Sequence, residues 1–477
     1  MPAPLSRRQL AAWLIALVGL AVPASADAAR SLELGFLDRV YTADPAERDA
    51  WLDRSAAVSA DIVRLDIGWP AQKTPTRPGG FDARDPADPH YDFARADAAI
   101  VAATARGVQV LASFTGAPPW ADGRDRPAGV TPGTWKPSAQ ALEEYGAALG
   151  RRYSGTFPDP ARPGRLLPKV RAFQVWNEPN LDKYLNPQWN GRRTAAPALY
   201  RRMLTAFYRG ARSVDSSALV VTAGTGPFGD PRPGGNRIMP ARFWRDVLCL
   251  RRTSQGRLAT TSPCPSPARF DVLAHHPYSV GRPSRKALNA DDVSIPDIGK
   301  LTSLLRYAEK TGRAGPRTRH PMWVTETSYD SSPPDPNGVE EAMHARFLAE
   351  AFYLLSRQGV DVITWFQIRD QAPVPSFAAT NQSGVFFRDG RPKLAAAAFR
   401  FPFVTERAHG GKLRAWGRSP VDGQLTIERL RGSIWRPVRS LNVRRNGTFL
   451  ALVPGSGTPD RLRARVDTET SLSWTQG

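Results

Sequence analysis

Two phosphate-binding signatures are missing from this chain. No GxGxxG follows the first predicted strand and no GxxxxGK[ST] occurs anywhere, which argues against an open-sheet nucleotide-binding protein. Beyond the first 30 residues no stretch is long and apolar enough to cross a bilayer, so the mature chain is expected to be soluble, with no membrane span. Lys/Arg blocks and basic repeats are also absent. The formal net charge is +21, but the basic residues are scattered through every segment, and residues 404–477 alone carry 13 Lys+Arg against 6 Asp+Glu. Arginine-rich solvated faces account for that spread better than a nucleic-acid partner, and an acidic sugar stays open. Cysteine is scarce: only Cys249 and Cys264 occur, separated by a Pro- and Ser-rich stretch, which in an exported chain suggests one disulfide closing a surface loop.

Export is suggested by the N-terminus. Arg7 and Arg8 precede an apolar run from Leu10 to Val22, and Ala24-Ser25-Ala26 supplies small residues for cleavage, so residues 1–26 read as a signal peptide. Ser6-Arg7-Arg8 hints at twin-arginine export, with the rest of that motif weak. The mature protein is therefore expected to be secreted.

From residue 31 to about 400, short β-branched or aromatic runs alternate with helical patterns. Eight runs can be counted: Leu32 to Phe36, Ile62 to Ile67, Val108 to Phe114, Val170 to Trp176, Leu219 to Ala223, Phe270 to Ala274, Met322 to Thr325 and Val360 to Phe366. Asp44-Pro45-Ala46-Glu47 carries helix-start signals, and Leu142, Tyr145 and Leu149 recur at helical spacing, as do Met343, Phe347, Ala351 and Leu354. Eight β/α units in under 400 residues predict an α/β fold, a closed (β/α)8 TIM barrel over 31–403. Over 404–477 the pattern changes to period two, and Asn446-Gly447 reads as a hairpin turn between two strands, so a small C-terminal all-β sandwich domain is expected. Its tryptophans, Trp416, Trp435 and Trp474, fit core positions as well as a sugar platform, so packing on the barrel is expected ahead of a carbohydrate-binding role.

The active site of such a barrel lies at the C-terminal ends of its strands. Two carboxylates stand there: Glu178, after the fourth run in Trp176-Asn177-Glu178-Pro179, and Glu326, ending the seventh in Val324-Thr325-Glu326. Cleavage of a glycosidic bond needs one carboxyl to protonate the leaving oxygen and a second to meet the oxocarbenium-like centre from the other face. Each glutamate alone could be a salt-bridged rim residue, but both sit at the end of the strand where that chemistry is done.

With these residues in place, residues 31–400 resemble the clan A glycoside hydrolases, in the style of family 39 or of a family 5 cellulase-like relative. The resemblance implies that Glu178 is the acid/base and Glu326 the nucleophile. It also implies substrate-binding roles for Arg64, which would hold Glu326 ionised; for Asn177, at the sugar 2-hydroxyl; for His276, on the acid/base side; for Tyr278, bonded to the nucleophile; and for Trp365, flooring the central subsite. Where many relatives carry a histidine after strand three, this chain has Ser113-Phe114-Thr115-Gly116. His275 and His276 project to opposite sides of an extended chain, so one at most faces the site. The other four histidines show no ligand spacing with them, and neither metal nor cofactor is expected. The loop tryptophans Trp69, Trp120, Trp135 and Trp189 are sugar-binding candidates, at least half of which should simply pack.

The leading expectation is a secreted retaining glycosidase acting on an oligo- or polysaccharide, a monomer without cofactor. A non-catalytic carbohydrate- or cell-wall-binding barrel is the alternative, because fold does not dictate function.

Overall fold

The computed structural model describes residues 32–456 and 461–476; the expected signal peptide, residues 1–26, lies outside them. Eight strands alternate with eight helices. In chain order they are β1 (Glu33–Leu37), α1 (Pro45–Ala57), β2 (Ile62–Asp66), α2 (Ala94–Thr104), β3 (Gln109–Phe114), α3 (Ala139–Arg152), β4 (Ala172–Val175), α4 (Ala196–Val214), β5 (Leu219–Thr222), α5 (Pro240–Val247), β6 (Leu273–His275), α6 (Gly299–Lys310), β7 (Met322–Thr327), α7 (Glu341–Arg357), β8 (Val360–Trp365) and α8 (Leu394–Arg400). The parallel sheet runs β6-β7-β8-β1-β2-β3-β4-β5, and parallel bridges Val221–Val272 and Thr225–His275 join its two ends. The fold is a (β/α)8 barrel.

Local signals explain the helix entries. The Asp44 carboxylate accepts from the Glu47 backbone N–H at 3.2 Å, and Pro45 occupies the first turn, where its missing donor costs nothing. On α7 the buried stripe is rotated from the expected one. Met343 is exposed, whereas His344, Phe347, Leu348, Ala351, Phe352 and Leu355 face the sheet. A histidine on the apolar face hid that register from a hydrophobicity reading.

Inside the barrel, alternate residues form layers. Ile62, Leu111, Ala172, Val221, Val272, Trp323 and Val362 fill the lower part, and Gly35 lets β1 approach β2 where a Cβ would stand 1.8 Å from the Ile62 carbonyl oxygen. Two residues further along the same strands the interior turns polar: Ile62 leads to Arg64, Ala172 to Gln174, Ala274 to His276 and Trp323 to Thr325, all four polar residues being buried. On β7 the pairing with β8 shifts register between Val324 and Thr327. Such an irregularity breaks the strict in–out alternation, so Thr325 and its neighbour Glu326 both serve the mouth.

Antiparallel strands follow: β9 (Phe403–Arg407), β10 (Lys412–Arg418), β11 (Gly423–Arg431), β12 (Ile434–Val443), β13 (Thr448–Pro454), β14 (Arg461–Val466), β15 (Glu469–Thr470) and β16 (Trp474–Thr475). One sheet is β9-β10-β13 and the other β12-β11-β14-β15, with β16 beside β14. Asn446-Gly447 is therefore not a hairpin turn. It links β12 of one sheet to β13 of the other, and the Asn446 amide donates at 2.7 Å to Asp61 on the barrel. Asn446 has the positive φ, 60°, that its residue type favours, but tertiary contacts use it for a crossing.

This region docks on the barrel away from the mouth. Trp416 packs on Tyr353 of α7 at 5.4 Å, the Arg346 guanidinium covers Trp474 at 3.9 Å, and buried Arg418 donates to the Leu32 carbonyl at 3.0 Å and pairs with Asp61. Cys249 and Cys264 meet with Cα atoms 6.0 Å apart, within the span of a disulfide.

Candidate active site

Glu178 and Glu326 enter one cleft of 630 Å³ at the C-terminal ends of the strands. One carboxylate oxygen of each, with a ring nitrogen of His276, lies within 4.8 Å of the others. Their side chains are only 13% and 17% exposed, so each answers to fixed neighbours more than to water.

Those neighbours differ. Glu326 has both oxygens engaged: Tyr278 Oη donates to Oε1 at 2.6 Å, and the Arg64 guanidinium lies 3.4 Å from Oε2. Arg64 is itself fixed by donating to Asn177 Oδ1 at 2.8 Å and to the Thr325 carbonyl at 3.1 Å. Glu178 has no such cation in contact. Burial pushes its pKa up from 4.5 to about 7, and the more distant Arg64 and Lys183 offset only part of that.

His276 links the two halves. Burial holds its pKa down at about 3, so it is neutral. Its Nε2 faces the Arg64 guanidinium at 3.3 Å, which can only donate, and the Thr325 hydroxyl at 3.1 Å, whose oxygen already accepts from Gln174 Nε2 at 2.8 Å. Nε2 is therefore the acceptor and Nδ1 carries the proton, which it donates to Glu178 Oε1 at 3.0 Å. Gly224, after β5, makes room for the ring: a Cβ there would lie 2.0 Å from His276 Nε2.

The backbone that presents Glu178 is held in an uncommon conformation. Trp176 and Glu178 have φ of 80° and 35°, in the region L side chains avoid. The Trp176 indole donates to the Tyr184 carbonyl at 2.8 Å, and Glu178 N–H to the Gly224 carbonyl at 2.9 Å, so the turn is secured from both sides.

Seven site residues were expected, and six meet in this cleft or in the layer directly beneath it: Arg64, Asn177, Glu178, His276, Tyr278 and Glu326. Trp365 does not. It is fully buried on the outer side of β8, packs against His344 and Phe352 of α7, and donates to the Ser383 carbonyl at 2.8 Å. The aromatic lining the cleft from β8 is its neighbour Phe366, because a one-residue step along a strand changes face. His275 likewise points outward, bonding Thr225 Oγ1 and the Val293 carbonyl at 2.8 Å each. None of the four loop tryptophans lines the cleft; Trp69, for example, stacks on Tyr145 at 4.8 Å.

Lys183, Tyr184, Phe366, Gln174, Thr325 and Gly224 were not anticipated. The first two follow Glu178 in an irregular loop, where no periodicity reports orientation. The period-two alternation from Ala172 and Trp323 would have placed Gln174 and Thr325 inward.

The triad of Glu178, His276 and Glu326 offers one ligand atom each for a cation. The charge on Arg64, in contact with Glu326 and His276, opposes one.

No protein-family model matches the sequence, and no curated protein matches it. Solved structures do match in fold. A family 39 glycoside hydrolase from the gut symbiont Bacteroides cellulosilyticus WH2 aligns with a TM-score of 0.54 at 16% identity, over 89% of this chain and 81% of that one. A glucosidase from Croceicoccus marinus aligns with a TM-score of 0.51 at 14% identity, over 90% and 94%. At such identities the likeness extends to the fold, and chemistry has to be argued from the cleft.

Proposed function

We propose that this protein is a secreted retaining glycoside hydrolase that cleaves O-glycosidic bonds in oligo- or polysaccharides by double displacement. The observation that carries the reading is the pairing of two carboxyl groups, with oxygens within 4.8 Å, in opposite environments. Glu326 is held by a guanidinium and a phenol, as an anionic nucleophile requires. Glu178 is desolvated and keeps its proton up to about pH 7, as a general acid requires. Retaining pairs stand about 5–5.5 Å apart, whereas inverting pairs leave about 6.5–9.5 Å for a water, and the close approach here favours the former.

In the first step Glu326 attacks the anomeric carbon while Glu178 protonates the departing oxygen. The covalent glycosyl-enzyme is then hydrolysed by a water that Glu178, now a carboxylate, deprotonates. Neutral His276 donates to Glu178 Oε1 in both states, leaving Oε2 to exchange the proton. Asn177 has its carbonyl oxygen taken by Arg64, so its amide nitrogen is the end available to the sugar.

Proton NMR of the first product released from an aryl glycoside should show the anomer of the substrate; an inverted anomer would exclude double displacement. Glu178→Ala should fail on poor leaving groups yet still form the intermediate from activated aryl glycosides, and azide should restore its turnover with retained configuration. Secretion and the Cys249–Cys264 disulfide belong to the same proposal. Mass spectrometry of unreduced protein from the medium should show an N-terminus near Asp27 and no free thiol; an intact leader or two alkylatable thiols would contradict it.

A further inference from the structure

Three cations reach the cleft, and only one is in contact with the catalytic pair. Arg64 is buried and bonded to Asn177, Thr325 and Glu326. Arg39, just after β1, and Lys183, in the loop after β4, are exposed and line the same cleft. Neither forms an ion pair among the described residues, which leaves both charges available inside the cleft. Outside the catalytic pair the cleft wall has one carboxylate, Asp66, whose Oδ1 accepts from the Gly68 N–H at 3.2 Å. When Glu178 is protonated and Arg64 balances Glu326, Arg39, Lys183 and Asp66 leave the cleft with a net charge of +1.

Lys183 is not on a free loop. Its segment is pinned by Asp182 N–H to the Asn236 carbonyl at 2.9 Å, by Leu185 N–H to the Leu181 carbonyl at 3.1 Å and by the Trp176 indole to the Tyr184 carbonyl at 2.8 Å. Its ammonium lies 5.1 Å from the centre of the Tyr184 ring, which also lines the cleft. Lys183 follows the proton donor by five residues and is close enough to act on its charge. An unpaired cation held in a partly desolvated cleft attracts an anionic group more strongly than the same charge on an open surface.

We infer that the substrate is an anionic glycan, with Lys183 contacting a carboxylate or sulfate of the leaving-group sugar and Arg39 contacting one on the opposite wall. The inference rests on the glycosidase reading above and adds the substrate class. With a neutral glycan bound, Arg39 would gain no ionic partner and Lys183 would keep only its hydrogen bond with Tyr184, whereas a uronate or sulfated unit forms a charge-assisted hydrogen bond.

The test uses the full-length secreted protein on three sets: polyuronates, sulfated polysaccharides, and neutral xylan, mannan and β-glucan, with neutral and uronic 4-nitrophenyl glycosides alongside. The expected result is a kcat/KM at least tenfold higher on an anionic set than on the neutral one, and the set that responds distinguishes carboxylate from sulfate. Lys183→Met should lower that preference ratio at least tenfold, Lys183→Arg should restore it, and added salt should erode it. Preference for neutral substrates, or a ratio unchanged in both Lys183→Met and Arg39→Met, overturns the inference and leaves the glycosidase reading standing. If none of the polymers or aryl glycosides is cleaved, the glycosidase reading falls, and this inference falls with it.

Discussion

The two ends of the barrel are made from the same strands, with side chains two positions apart, and they differ in nearly every physical respect. At the lower end Ile62, Leu111, Ala172, Val221, Val272, Trp323 and Val362 form a closed apolar layer. At the mouth Arg64, Gln174, His276 and Thr325 are as deeply buried, but polar, and Arg64 Nε and Gln174 Oε1 have no hydrogen-bond partner among the described residues. Trp176 and Glu178 add backbone strain at the mouth. The lower layer makes the barrel stable, and the upper layer keeps Glu178 protonated at a pH where water would ionise it, beside a Glu326 bonded by Arg64 and Tyr278.

The largest effect that would sharpen this contrast is Glu326→Gln. It should reduce kcat by about 10⁴-fold or more on every substrate, since an amide forms no glycosyl intermediate, while leaving the apolar layer and the urea midpoint nearly unchanged. A variant retaining more than about one hundredth of wild-type kcat would remove Glu326 as nucleophile. The converse change is Trp323→Ala at the lower end. It deletes an indole that is 2% exposed and covered by Arg171 at 5.2 Å, and should lower unfolding free energy by about 3–5 kcal/mol, with kcat of the folded fraction preserved. Loss of kcat with stability intact would mean that the two layers are not separable.

The smallest effect concerns pH. Glu178 has a folded pKa of about 7 against 4.5 for the ordinary carboxyl group, so folded protein binds a proton that unfolded chain has released. Its contribution to stability is fully present below pH 4.5 and is lost as pH rises through about 7. Glu178→Gln should therefore match wild type near pH 4 and be more stable near pH 8.5 by roughly 3 kcal/mol at most. Thermal melts at the two pH values decide it; equal differences at both would show that Glu178 is not a desolvated acid. In wild type the same group predicts activity falling as pH rises past about 7.

Barrel strands were legible because their cores are short β-branched runs, as in Ile62–Asp66, that alternate with helical segments, the first of them opened by Asp44-Pro45. Glu178 and Glu326 were legible because strand ends are where a barrel does chemistry. Trp365 was misplaced because facing depends on the step from strand to loop, and a shift of one residue exchanges inside for outside. Asn446-Gly447 has the composition of a hairpin turn, yet the strands on either side pair with other partners, β12 with β11 and β13 with β10.

What the sequence by itself determined is the periodicity of each segment and the residue types at strand ends, because side-chain alternation and helix capping are local. From these follow eight β/α units, a β-rich tail and two glutamates at the mouth. Tertiary structure alone decided the rest. The tautomer of His276 depends on Arg64 and Thr325, residues 212 and 49 positions away in the chain. The raised pKa of Glu178 depends on how much water the folded cleft excludes, and the meeting of Arg39 and Lys183 in one cleft depends on barrel closure. Charge, desolvation and distance are properties of the assembled cleft, and no local pattern of residues encodes them.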